Sequence, residues 1–127
     1  MRDYPQIVKE LLEENDISNV FKGTEKPQSA FIPHNSVFVA QYGGFQPDSM
    51  MATSEQIHQI TVQIMVRSLP EDEQGSQTLA NSIYDIVRNA SPEGTMVIRP
   101  NAPPIRLSID DTDRYRFSIN ITILAQE

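Results

Sequence analysis

The sequence predicts an α+β fold: a mostly antiparallel β-sheet, with a mixed one as the alternative, and two α-helices packed on one face. Three stretches carry that prediction. Ile57 to Arg67 alternates, with Ile60, Val62, Ile64 and Val66 on one side and Thr61, Gln63 and Arg67 on the other; Met65 is the apolar exception. A period of two with β-branched residues on one face is a half-buried strand. Leu79, Ile83, Ile86, Val87 and Ala90 then fall at helical spacing, with Asn81, Asp85, Arg88 and Asn89 opposite, which is one apolar stripe on a helix. Tyr115 to Leu124 alternates again. Tyr115, Phe117, Ile119, Ile121 and Ile123 point inward, and Arg116, Ser118, Asn120 and Thr122 point outward. A slip of one residue there would expose five large apolar groups, so the register is fixed. A one-faced strand feeding an amphipathic helix packs that helix on the sheet's apolar side, and this defines the core.

The remaining elements follow in order. Asp3 to Asn15 reads as a helix, with Asp3 as cap, Pro5 in the first turn and Ile7, Val8, Leu11 and Leu12 as its stripe. Ile17 to Phe21 is a short strand candidate. Lys22 to Asn35 holds Gly23, Pro27 and Pro33 and is mostly loop, with Ala30-Phe31-Ile32 available for a brief pairing. Ser36 to Tyr42 is a strand apolar on both faces, hence more buried than its neighbours. The loop from Gly43 to Ser54 is longer than a usual hairpin connection, and long loops tend to be functional. Ser68 and Glu71 have capping-box spacing, Pro70 suits a first turn, and Glu71, Asp72 and Glu73 lie where the helix dipole is positive. Ser91 to Gly94 stops the helix, and Met96 to Arg99 is a short strand. Three prolines between Pro100 and Pro104 exclude a central strand there. Ile105, Leu107 and Ile109 alternate in a further strand, and Asp110 to Asp113 turns into the last one. The predicted order is α, β, β, β, α, β, β, β.

At 127 residues the chain is one domain by size, 1–127, able to bury roughly two thirds of its unfolded surface. Lysine and arginine number 10 against 17 aspartates and glutamates, a net charge of −7, which argues against unaided binding to nucleic acid or anionic lipid. There is no cysteine, so disulfides, thiolate metal sites and cysteine nucleophiles are excluded. No apolar run approaches the ~20 residues of a membrane span. The first residues lack a signal-peptide core, so synthesis in a cytoplasm is the expectation.

Chemistry is sparse. His34 and His58 are the only histidines and form no H-x-x-x-H or H-x-H pair; ordinary surface or rim positions suit both. Asp110-Asp111-Thr112-Asp113 invites a calcium reading, but it lacks the glycine and glutamate of an EF-hand loop, and a hairpin turn explains it equally well. Glu71-Asp72-Glu73 is a helix-start signal before it is an acid cluster, and Gly43-Gly44 is too isolated to cradle phosphate. No nucleophile motif is present. The expectation is a protein without catalysis, metal or cofactor. Phe31-Ile32, inside a Pro-bounded loop, either covers the core edge or touches a partner subunit.

Several stretches resemble the tail terminator proteins of long-tailed bacteriophages, a group that includes proteins labelled minor capsid proteins. They are the N-terminal helix ending Leu11-Leu12-Glu13-Glu14, the strand Ile57 to Arg67, the run from Pro70-Glu71-Asp72-Glu73-Gln74-Gly75 into Leu79-Ala80-Asn81-Ser82-Ile83-Tyr84-Asp85-Ile86, and the strand from Arg114-Tyr115-Arg116-Phe117. The resemblance covers nearly the whole chain and is one of element pattern, with no catalytic motif. It implies a virion protein of the phage neck: a homohexameric ring that caps the tail tube, ends its growth and offers a surface to the head's connector. The implied partners are further copies, the tail tube protein and the head-side stopper, with DNA passing through without specific binding. A ring needs heterologous contacts, for which Phe31, Ile32, Phe45, Met50 and Met51 are the candidates, on loops expected to be mobile in a free monomer. The alternatives are a head-side stopper or adaptor, a ligand-binding α+β domain with a pocket between helices and sheet, and a small hydrolase or metal enzyme using His34 or His58.

Overall fold

The computed structural model describes residues 3–27, 29, 31–44, 57–90, 96–109 and 113–126, with backbone alone at 42–44, 57, 58 and 126. Along the chain run helix α1 (Tyr4–Glu14), strands β1 (Val20–Lys22), β2 (Ser36–Gly44) and β3 (Ile57–Arg67), helix α2 (Glu73–Arg88), and strands β4 (Met96–Pro100), β5 (Ile105–Arg106) and β6 (Arg116–Gln126). The order matches the sequence expectation. The strands form one sheet in the order β1-β2-β3-β6-β4, with β5 also on β6. The sheet is mixed: β1 runs parallel to β2, and every other pairing is antiparallel.

The centre is the β3–β6 ladder, paired from Ile57↔Gln126 to Arg67↔Arg116. Period-two alternation sends Ile60, Val62, Ile64 and Val66 to the same face as Phe117, Ile119, Ile121 and Ile123, all buried. Helices cover that face. Tyr4, Val8 and Leu12 of α1 and Ala80, Ile83 and Val87 of α2 join the strand residues in one core, α1 lying over β1–β2 and α2 over β6–β4. The buried stripe of α2 also includes Ser76, while Leu79 and Ile86 are only half-buried. The contact face is thus rotated from the predicted stripe toward the small residues, which let helix and sheet approach closely.

Both helix starts are explained by side chains. The Asp3 carboxylate accepts from Gln6 N at 3.2 Å, as predicted, and also pairs with Lys22 on β1. The second start differs from the Ser68–Glu71 capping box that the spacing suggests. Glu71 sits in the left-handed region at φ 62°, stabilised there by donating from its N to Asp113 O at 2.8 Å, so it cannot be a helical residue. Asp72 caps instead, accepting from Gly75 N at 2.9 Å. A Cβ on Gly75 would lie 2.1 Å from Asp72 Oδ2. Alanine in place of a helical glycine normally stabilises by up to about 1 kcal/mol, but at this first-turn position it displaces a cap that contributes about as much. Gly75→Ala is therefore expected to leave the melting temperature unchanged within error, where a gain of several degrees is the usual result.

The Lys22 ammonium bonded to Asp3, followed by the Gln6 amide, holds the Asp3 carboxyl below its ordinary value of 3.8. A carboxylate with a depressed folded pKa adds stability above its unfolded pKa and loses it as pH falls through the folded one. Asp3→Asn keeps the cap acceptor and removes the charge. The native chain is expected to melt above this variant at neutral pH, with the difference shrinking as pH drops below 3.8. Thermal melts across that range, at low salt because the pair is exposed, check it.

β4 and β5 share one side of β6, pairing with residues 121–125 and 117–118 respectively. Between them residues 101–104 leave the ladder, since Pro103 and Pro104 have no amide to donate. Asn101 still donates from its N to Asn120 O at 2.8 Å. The predicted strand Ile105–Leu107–Ile109 is corrected here: only Ile105 and Arg106 are strand, and Ile105 and Ile109 are exposed rather than core. Beyond Arg106 the chain keeps one ladder bond, Leu107 N to Arg116 O at 2.8 Å, and then departs. Val97, on the outer face of β4, is exposed as well.

Candidate assembly surface

The sheet face without helices is not uniformly open. At one end the start of β2, the end of β3 and the start of β6 meet in a row, Ser36↔Arg67↔Arg116. Arg67 points to the outer face as its parity demands, but it is 1% exposed, not the solvated outward residue expected from sequence. The reason is the 23–35 segment, which folds over it. Arg67 Nε donates to Ser36 Oγ at 2.8 Å. Its Nη1 donates to Lys26 O at 2.5 Å and to Glu25 Oε2 at 3.4 Å, and its Nη2 to Pro33 O at 3.3 Å. The guanidinium lies 4.8 Å from the centroid of the Phe38 ring, a cation–π contact strengthened by desolvation. Phe38 in turn stacks on Phe21 at 5.8 Å. This is why β2 is apolar on both faces.

Glu25 joins two arginines. Its Oε1 accepts from Arg116 Nη1 at 2.8 Å, and Arg116 also donates from Nε to Ser108 O at 3.1 Å and from Nη2 to Ser108 Oγ at 3.2 Å. Ser118, predicted to face solvent, is buried and accepts from Gln63 Nε2 at 3.1 Å. The Glu25 pairs are partly buried, with Glu25 20% and Arg116 21% exposed, so losing one partner costs less than the roughly 3–5 kcal/mol of a fully buried pair.

Of the five predicted contact residues, Phe31 and Ile32 lie on the 23–35 segment, while Phe45, Met50 and Met51 are outside the described residues. Phe31 is 86% exposed and Ile32 half-buried. A small turn fixes their backbone: Ser29 N donates to Ile32 O at 2.9 Å, and Ser29 Oγ accepts from the amides of Phe31 and Ile32, each at 3.2 Å. Leu69, Ile105 and Ile109 are the other large exposed apolar residues in the segments adjoining this end. Sequence reasoning missed Glu25, Arg67 and Arg116 as a unit. Arg67 and Glu25 are 42 residues apart and Arg116 and Glu25 91 apart, so no local spacing announces them.

No cluster of three potential metal ligands occurs among the described residues. His34 is half-buried, with Nδ1 buried and unbonded; the His58 side chain and residues 110–112 are outside the described residues. The space between helices and sheet is filled by the core. A groove of about 560 Å³ runs along the surface at the start of α2, lined by Asn35, Ser68, Asp72 and Leu79 among others. Its one carboxylate is the helix cap. No described helix is long and apolar enough to cross a membrane.

Fold and site together define an α+β protein with two helices on one face of a mixed sheet and a charged clasp at one end of the other face. Residues 21–127 match the family of bacteriophage tail terminator proteins, and the chain belongs to that family: it is a structural protein of the phage tail, and its place is in the virion. Among solved structures it is similar in fold to a chain from the virion of a native gene transfer agent particle, with a TM-score of 0.53 at 9% identity, over 94% of this chain and 84% of that one. No curated protein matches.

Proposed function

We propose that this chain, as one tail-terminator domain over residues 1–127, is the ring subunit that caps the tail tube, ends its polymerisation and presents the surface to which the head joins. The observation that carries the reading is the family match over residues 21–127. A tube grows because each added ring exposes a fresh copy of the same binding surface. A cap must bind that surface and offer no copy of it. The partners are further copies in a homohexameric ring, the tail tube protein on one side and the head-side connector on the other. The net charge of −7 suits a lumen through which DNA passes without being retained. The role requires no catalysis, metal or cofactor. Phe31 and Ile32, and the Phe45, Met50 and Met51 loop, contribute the contacts between copies.

Purified chain added to polymerising tail tube protein is expected to shorten the mean tube length with increasing dose and to decorate one tube end only. Tubes that grow to the same length at every dose would exclude capping.

A further inference from the structure

The two helices end side by side. Leu11 and Asn15 at the end of α1, with Asp85, Ile86, Asn89 and Ala90 at the end of α2, line a groove of about 390 Å³. Leu11, Ile86 and Ala90 are half-buried and give it an apolar floor. The rim is built of acceptors. Asn15 and Asn89 are the C-caps, and each donates from Nδ2 to its own helix, at Leu11 O (2.8 Å) and Asp85 O (2.9 Å). Both Oδ1 atoms are left as acceptors. Two helix C-termini also bring their negative dipole ends to one place. Asp85 stands in the rim, reached by Arg88 from the exposed side at 3.3 Å. Glu14 and Asp16 flank Asn15, both exposed and without an ion pair among the described residues. Such a groove favours an apolar side chain that comes with a cation.

The same chain carries the complement on its other side. Met96 and Ile98 of β4 are buried under the helices, so Val97 and Arg99 point to the outer face. Val97 is 43% exposed and its register partner there is another apolar residue, Leu124, half-buried. Arg99, roughly 7 Å along the strand, is exposed and has no ion pair among the described residues. Charge is divided in the same sense over the whole fold. Every lysine, arginine, aspartate or glutamate within the strands is basic, namely Lys22, Arg67, Arg99, Arg106 and Arg116, whereas both helices with their Asp3 and Asp72 caps are net acidic. We infer that the groove between the helix ends seats the Val97–Leu124 ridge of a second copy of this chain, with the partner's Arg99 directed at Asp85 and the two amide oxygens. The two patches are different surfaces on opposite faces, so the contact is heterologous and repeats from copy to copy. It rests on the ring reading and names a contact within it.

Sedimentation velocity on the purified full chain, through a concentration series, tests the contact by charge reversal. Asp85→Lys and Arg99→Glu, both at exposed positions, should each weaken self-association about tenfold or more with melting unchanged. The chain carrying both reversals should recover most of the native association. The two single variants, mixed, should associate where neither does alone. Val97→Ser should weaken association without a change of charge. Glu10→Lys alters the net charge as Asp85→Lys does, but outside the groove, and should behave like the native chain. A double variant no better than the singles, mixed variants that stay apart, or Glu10→Lys as damaging as Asp85→Lys would each overturn the inference. So would a native chain that assembles regardless of either reversal, an outcome that leaves the ring reading standing with a different contact. A native chain monomeric at every concentration overturns this contact as well, and the ring reading is then decided by the capping assay.

Discussion

Ile119→Asp and Ile64→Asp are each expected to yield a chain that does not fold. The two isoleucines are register partners on the central ladder, both fully buried beneath the helices. Truncating a buried isoleucine alone costs about 2–5 kcal/mol. An aspartate there must also be either desolvated without a partner or kept protonated, at several kcal/mol more. The sum reaches the roughly 5–15 kcal/mol that holds an ordinary domain together. Thr122→Asp is the control. It lies on the same strand with opposite parity and gives up one hydrogen bond, Thr122 Oγ1 to Asn101 Oδ1 at 2.6 Å, at a cost of about 1 kcal/mol. Circular dichroism should show the two core variants unfolded and the control folded. Similar spectra from all three would mean the strand faces are wrongly assigned.

That contrast also marks what was legible in the sequence. The ladder residues announce their side by alternation, a local signal that needs no partner. The order of all eight elements could be read in the same way. So could the Asp3 cap, because donor and acceptor are three residues apart. Legibility fails where two local signals compete or where a partner is distant. Ser68 and Glu71 have the spacing of a cap, yet a left-handed Glu71, held by Asp113 from another loop, moves the helix start to Asp72. Ile105, Leu107 and Ile109 alternate like a core strand, but Pro103 and Pro104 precede them and the ladder supports only two residues. The outer face around the clasp was half legible. Phe31 stands out as an apolar residue in a polar, Pro-bounded loop. Arg67 does not, because a charge at an outward strand position looks solvated until Glu25 and the two loop carbonyls are known to cover it.

Family membership is shared by the whole group, whereas the capping role is a claim about what this chain does to tail length. Electron microscopy of a lysate from phage lacking this gene tests that most directly. Without a cap, each tube end continues to offer its binding surface, so tails should be over-long and headless, alongside separate DNA-filled heads. Supplying the native chain in trans should restore tails of uniform length. Loss of a head-side stopper would leave tails of normal length and heads that leak DNA. Normal-length tails in the deletion lysate would contradict the account.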